Sequence, residues 1–287
     1  MSDAAIRVED ISYSYGEIEA VKGLSFEVAP GEVLGFLGPN GAGKSTTIKI
    51  LTGQLTPKSG RAQVLGTDVT TDDPAIQAQI GVCFEEKNLY DSMSAQENLR
   101  FFASLFGLKD IDAAGLLARV GLADRAKDRV SKYSKGMRQR LMMARTLVNT
   151  PRVLFLDEPT DGLDPVSSQA IRQLIKQEAD RGAAVLLTTH DMHEADSLSD
   201  RVAFLNEGKL YALDTPENLK LAHGKRSVKV RIRDSGGVTE RTISLADADA
   251  GENLKEAVGA AGLMTIHTEE ASLENIFIEM TGRGLAG

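Results

Sequence analysis

The sequence is short of cysteine, of long apolar runs and of positive charge, and each shortage excludes something. With one cysteine in 287 residues, no internal disulfide can form, and a reducing compartment is expected. That cysteine, Cys83, stands between Val82 and Phe84, so it reads as a buried structural thiol rather than a reactive one. No run approaches the roughly 18–20 uninterrupted apolar residues of a spanning helix. The opening Met1-Ser2-Asp3-Ala4-Ala5-Ile6 has no basic stretch leading into an apolar one, so no signal peptide is expected. A formal net charge of −8 argues against bulk binding to nucleic acid or anionic lipid. Any connection to a membrane then has to run through a partner protein. What is present is an ordinary globular composition, 42% hydrophobic and 26% charged, in a chain long enough for one large domain and one small one.

Short apolar runs and helical periodicities alternate along most of the chain. Ile6-Arg7-Val8 with Ile11-Ser12-Tyr13, and then Leu24 to Val28, read as half-buried strands. Arg61 to Leu65 reads as another strand. Val33 to Leu37, Ile80 to Phe84, Val153 to Leu156 and Ala184 to Thr188 read as strands buried on both faces. Helices are predicted over Lys44 to Gln54, Ser94 to Gly121, Gly136 to Val148 and Ser167 to Arg181. The alternation predicts an α/β fold with a mostly parallel sheet covered on both sides. Asn206-Glu207-Gly208-Lys209 predicts a hairpin turn. Near residue 224 the pattern changes, and residues 225–287 read as a small α+β appendage. It has two strands (Ser227 to Arg233, Val238 to Ser244), a helix, a strand (Leu263 to Thr268) and a helix (Ser272 to Met280). Lys229, Arg231 and Arg233 alternate with apolar residues there and read as a solvated strand face, with an acidic partner or a lipid headgroup as the other reading.

Gly38-Pro39-Asn40-Gly41-Ala42-Gly43-Lys44-Ser45 fits the phosphate-loop pattern G-x-x-x-x-G-K-[ST], after a predicted strand and before a predicted helix. Its glycines let backbone N–H groups turn inward around phosphate oxygens, and the helix N-terminus adds partial positive charge. Gly38, Asn40, Gly41, Gly43, Lys44, Ser45 and Thr46 are therefore candidate ATP-binding residues. Lys44 would contact the β- and γ-phosphates and the Ser45 hydroxyl would ligate Mg²⁺. The run Val153-Leu154-Phe155-Leu156 ends in Asp157-Glu158, an acid pair at the end of a buried strand. Asp157 would hold the Mg²⁺ shell and Glu158 would polarise the attacking water as general base. A chance glycine-rich turn and a pair of solvated loop acids are the bland alternatives, and each makes the other less tenable.

Further segments resemble a known family. Tyr133-Ser134-Lys135-Gly136-Met137-Arg138-Gln139-Arg140 resembles the signature sequence of ABC ATPases, Asp161-Gly162-Leu163-Asp164-Pro165 their D-loop, and His190 their switch histidine. With the phosphate loop and the acid pair, these match the family in order and spacing across about residues 4–222. The resemblance implies a P-loop NTPase ABC cassette over 1–224, with a helical subdomain at about 86–150 and an accessory domain over 225–287. It implies ATP and Mg²⁺ as ligands and a head-to-tail dimer with a second copy of the cassette. Ser134, Gly136, Met137 and Asp164 would touch the other copy's ATP. Tyr15 aligns with the residue that stacks on adenine, with Tyr13 as the fallback, and His190 with the one that contacts the γ-phosphate. Glu85 stands where most members carry a glutamine, and its carboxylate is a candidate Mg²⁺ ligand.

Lys135 and Met137 depart from the usual Gly and Gln, a variant common in one export branch of the family. The cluster His190, Asp191, His193, Glu194 and Asp196 is rich in metal-ligand types, yet it lacks H-E-x-x-H and has no cysteine nearby, so a transition-metal site is the lesser reading. The partners implied are a separate polytopic transmembrane permease subunit and the second cassette, with no nucleic acid. The place implied is the cytoplasmic face of the cell membrane, reached through the permease. Residues from Asn88 to Phe106 suit either core packing or the groove that receives the permease's coupling helix. The short tail resembles that of exporter ATPases. A soluble ABC ATPase is the alternative, but a long coiled coil between Lys44 and Asp157, or a second cassette, would be expected of it.

Overall fold

The computed structural model describes residues 4–71, 73–84, 88–223, 227–234, 237–245, 247–259, 262–269 and 272–282. The chain begins with β1 (Ile6–Tyr15), β2 (Ile18–Val28), β3 (Val33–Leu37), α1 (Lys44–Leu51), β4 (Ser59–Val64), β5 (Thr67–Asp68), α2 (Pro74–Gln77), β6 (Ile80–Cys83) and α3 (Ala95–Leu105). It continues with α4 (Ala113–Arg119), α5 (Lys135–Thr146), β7 (Val153–Asp157), α6 (Pro165–Asp180), β8 (Ala184–Thr189), α7 (Met192–Leu198), β9 (Arg201–Asn206) and β10 (Lys209–Asp214).

The central sheet has the order β10-β9-β3-β8-β7-β6. Strands β6, β7, β8, β3 and β9 run parallel, with Val82 beside Phe155, Leu156 beside Leu187 and Phe36 beside both Thr188 and Ala203. Every residue of β3, β7 and β8 is buried. Their unbroken apolar runs are what a sheet covered on both faces requires. Successive residues of a strand face opposite sides, and here the two sides belong to different cores. Val153 and Phe155 of β7 join Ile48 and Leu51 of α1 and the inner face of β1 and β2. Leu154 and Leu156 join Leu99, Leu117, Leu141 and Met142 of the helical region. The next residue in that alternation, Asp157, falls on the α1 side.

A second sheet, β2-β1-β4-β5, is antiparallel. The sequence predicts most of its strands but not that they pair apart from the parallel sheet. The β9–β10 turn places Glu207 and Gly208 at φ 48° and 79°, the two positive values a type I′ hairpin demands. The helical stretch predicted from Ser94 to Gly121 is two helices. α3 opens on a reciprocal cap, with Glu97 N–H donating to Ser94 Oγ at 3.3 Å and Ser94 N–H to Glu97 Oε2 at 2.7 Å. Gly107 at φ 72° then breaks the run, and Asp112 caps α4.

The chain divides between Leu213 and Asp214 into two compact units. The second contains α8 (Pro216–His223), β11 (Ser227–Asp234), β12 (Gly237–Ser244), α9 (Ala250–Gly259), β13 (Leu263–Glu269) and α10 (Leu273–Thr281). Its antiparallel sheet has the order β12-β11-β13. Val228, Val230, Ile232 and Ile243 pack with Ala250 and Ala257 of α9. Arg231 and Arg233 are exposed on β11, and Arg231 pairs with Glu240 at 3.2 Å. Helix α8 packs against α10, so the division falls ahead of α8 rather than near 224. No helix among the described residues is long and apolar enough to cross a membrane.

Candidate nucleotide site

A cleft of about 500 Å³ opens past the end of β3, lined by Tyr15, Asn40, Gly41, Gly43, Lys44, Ser45, Thr46 and Glu158 among others. Two glycines shape the loop from behind. A Cβ on Gly38 would sit 2.2 Å from the Leu205 carbonyl, and one on Gly43 (φ 101°) 2.4 Å from that of Ala20. No side chain fits either position. Helix α1 starts at Lys44 with Gly43 as its N-cap and no side-chain cap. Its first amides are thus left to a ligand, where the helix end favours an anion.

Lys44 is buried, and its Nζ donates to the Gly38 carbonyl at 2.5 Å. The same ammonium lies 3.1 Å from Glu158 Oε1, an ionic contact rather than a directed hydrogen bond. Asp157 is also buried, and the strand alternation points it at α1. Its Oδ1 accepts from Ser45 Oγ at 3.1 Å and from Thr188 Oγ1 at 2.6 Å. A hydroxyl and a carboxylate side by side next to a phosphate loop are hard oxygen donors that fit Mg²⁺, which takes few protein ligands and fills its shell with water and phosphate oxygens.

Glu158 would face the other way if the strand continued. Instead it has φ 48°, a left-handed conformation uncommon for a residue with a side chain. Thr188 holds it there: the Glu158 N–H donates to Thr188 Oγ1 at 3.0 Å and to the Thr188 carbonyl at 3.2 Å. The turned carboxylate reaches Lys44 through one oxygen. Its other oxygen, Oε2, is 2.9 Å from His190 Nδ1. His190 Nε2 lies 4.0 Å from Asp161 Oδ1. Lys44, Ser45, Asp157, Glu158 and His190 therefore meet, as the motifs lead one to expect. Thr188 was missed, because a threonine near the end of an apolar strand gives no signal until its register opposite Asp157 is known.

Tyr15 stands 45% exposed on the cleft wall, whereas Tyr13 packs on the core behind it, edge-on at 4.9 Å. The signature residues form a second neighbourhood. Ser134 caps α5, its Oγ accepting from Met137 N–H at 3.2 Å. Asp164 caps α6, and hydrogen bonds from Ser167 hold its carboxyl below the usual range. Gly136 lies against the Asp164–Ser167 turn, where a Cβ would be 3.1 Å from Ser167 Oγ. Met137 packs partly into the helical core. None of these four lines the cleft of its own chain. Glu85 lies outside the described residues. The acid- and histidine-rich segment after β8 does not converge: Asp191 caps α7, accepting from His193 N–H, and Glu194 turns inward to Thr160.

A glycine-rich loop opening a helix, beside the acid pair that ends a neighbouring parallel strand, defines a phosphate-loop NTPase. Residues 21–161 match the family model described as ABC transporter. A fluoroquinolones export ATP-binding protein of Mycobacterium tuberculosis is 46% identical over 98% of this chain and 94% of its own length. A daunorubicin resistance ATP-binding protein of Streptomyces coeruleorubidus is 36% identical over 98% of this chain and 97% of its own. Among solved structures, an ATP-binding cassette in a dimeric post-hydrolysis state bound to ADP and Pi shares 26% identity at a TM-score of 0.66, over 73% of this chain and 98% of that one. The chain belongs to the ABC transporter ATP-binding family, and it is an ATPase of that kind.

Proposed function

We propose that this chain powers an exporter as its ATP-hydrolysing subunit, in a head-to-tail dimer docked on a separate polytopic permease at the cytoplasmic face of the membrane. The observation that carries the chemistry is the continuous contact of Lys44, Glu158 and His190 beside the Ser45–Asp157 pair. Adenine stacks on Tyr15, which offers a π-face without base discrimination. The amides from Asn40 to Thr46 and the Lys44 ammonium cradle the phosphates. Ser45 and Asp157 hold Mg²⁺, with Glu85 as a further oxygen ligand. When bound there, Mg²⁺ would supply positive charge that offsets that of the phosphates. Glu158 takes the proton of the attacking water, and His190 fixes the direction of that carboxylate while reaching toward the γ-phosphate.

Ser134, Gly136, Met137 and Asp164, which stand apart from their own cleft, face the nucleotide of the second copy. Export follows the names of the similar proteins. A groove of about 240 Å³ lined by Val82, Phe84, Phe102, Phe106 and Arg145 offers side chains of the permease's coupling helix a seat. Affinity capture of the tagged chain from detergent-solubilised membranes tests the assignment. A polytopic membrane protein is expected to co-purify, and its retention should survive Glu158→Gln. Recovery of the chain alone, with no polytopic partner, would defeat the transporter reading.

A further inference from the structure

Glu194 is a buried acid that the mechanism above does not use. It sits in the first turn of α7, four residues after His190, and is 1% exposed. Acids in a first turn ordinarily face water, where the helix dipole favours them. This one points inward, and its Oε1 accepts a hydrogen bond of 2.6 Å from Thr160 Oγ1. The neighbouring Thr189 Oγ1 accepts from Asp191 N–H at 2.9 Å. Thr160 lies on the loop two residues past Glu158, and Thr189 ends the strand that delivers His190.

We infer that Glu194 is a positioning residue for hydrolysis, a latch whose carboxyl ties the loop after Glu158 to the helix after His190 and so fixes the Glu158–His190 contact. This rests on Glu158 and His190 acting as proposed.

Among the described residues no cation pairs with Glu194. The charged groups that face it are Asp191 at the head of its own helix and Glu158 on the loop after β7. Beyond Glu158 stand Lys44 and His190, and Asp161 follows on the same loop. Burial raises the Glu194 carboxyl, the Thr160 bond pulls it back, and the neighbouring acids raise it further.

The test is steady-state ATPase kinetics on the full chain. Glu194→Gln retains the oxygen that accepts from Thr160, so its kcat is expected within about twofold of wild type. Thr160→Val and Glu194→Ala should each lower kcat by roughly tenfold with KM for ATP unchanged, and the double variant should be no slower than Glu194→Ala alone. Two results would overturn the latch: equal loss in the Gln and Ala variants, and losses that multiply in the double variant. If Glu194→Ala does not fold, Thr160→Val and Glu194→Gln decide by the same criteria. Glu158→Gln runs alongside: turnover surviving in it would overturn the base assignment itself, whereas with that variant inactive the Glu194 results bear on the latch alone.

Discussion

Glu158 combines an unfavourable backbone angle with contacts to both Lys44 and His190. Such local strain persists only where surrounding bonds over-determine it, and here Thr188 supplies them. Glu158→Gln keeps the shape and removes the proposed base. It should still bind ATP while turnover falls roughly 10²–10⁴-fold, which equilibrium nucleotide binding and single-turnover hydrolysis would resolve. Near-normal hydrolysis would assign the base elsewhere. Thr188→Val leaves the strand's shape intact but strips the donor to Asp157 and the acceptor for the Glu158 amide. The Asp157 carboxylate keeps Ser45 and the Glu158 amide keeps the Thr188 carbonyl, so each lost hydrogen bond costs about 0.5–3 kcal/mol, and a lower melting temperature and slower hydrolysis should appear together. A variant slow but as stable as wild type would contradict that account. Lys44, Ser45, Asp157 and Glu158 were legible because phosphate and metal chemistry fixes their spacing along the chain. Thr188 and Glu194 were not, because their partners lie on other segments and only folding brings them together.

At the scale of elements, the buried parallel strands announce themselves, since a strand covered on both faces has no polar residue to interrupt it. β7 shows what this does for the site: its alternation binds two cores and leaves Asp157 on the side of α1. Phe155 is fully buried on that same side. Phe155→Ala should cost about 3–5 kcal/mol of stability, and the cavity beside α1 should weaken ATP binding as well as folding. Denaturant unfolding with and without ATP would show both, and unchanged nucleotide affinity in the folded variant would break the proposed link between β7 packing and the metal side of the cleft. Other elements were less legible. The apolar periodicity from Leu99 to Val120 continues across Gly107, so one helix was predicted where a positive φ makes two. The strands of the antiparallel sheet each look half-buried, and nothing local says which strand is the neighbour of which. A boundary near 224 leaves residues 216–223 in the first unit, yet Leu219, which is buried, belongs with the second.

At the scale of the whole molecule, the question is whether one chain makes a complete site. The cleft residues supply the proposed adenine, phosphate and metal contacts, but Ser134, Gly136 and Asp164 gather away from it with two helix N-termini. A second copy, turned head to tail, would bring that anion-seeking neighbourhood over the first copy's γ-phosphate. Gly136 makes this testable. A side chain there meets Ser167 Oγ at 3.1 Å and Asp164 Oδ2 at 3.6 Å, so the carboxylate of Gly136→Asp would be repelled by Asp164 and forced outward. In the proposed closed dimer that direction would hold the partner's phosphate. Two like charges at ~6 Å and an effective dielectric of ~20 repel by roughly 2–3 kcal/mol before screening, and each dimer contains the clash twice. On a Glu158→Gln background, ATP should shift the chain from monomer to dimer in size-exclusion light scattering. Adding Gly136→Asp should abolish the shift while leaving ATP affinity of the monomer unchanged. Gly136→Ala brings the Cβ without the charge and should retain most of the dimer, which separates repulsion from crowding. ATP-driven dimerisation that survived Gly136→Asp would place these residues outside the nucleotide interface and leave the Asp164 turn as a helix cap and nothing more.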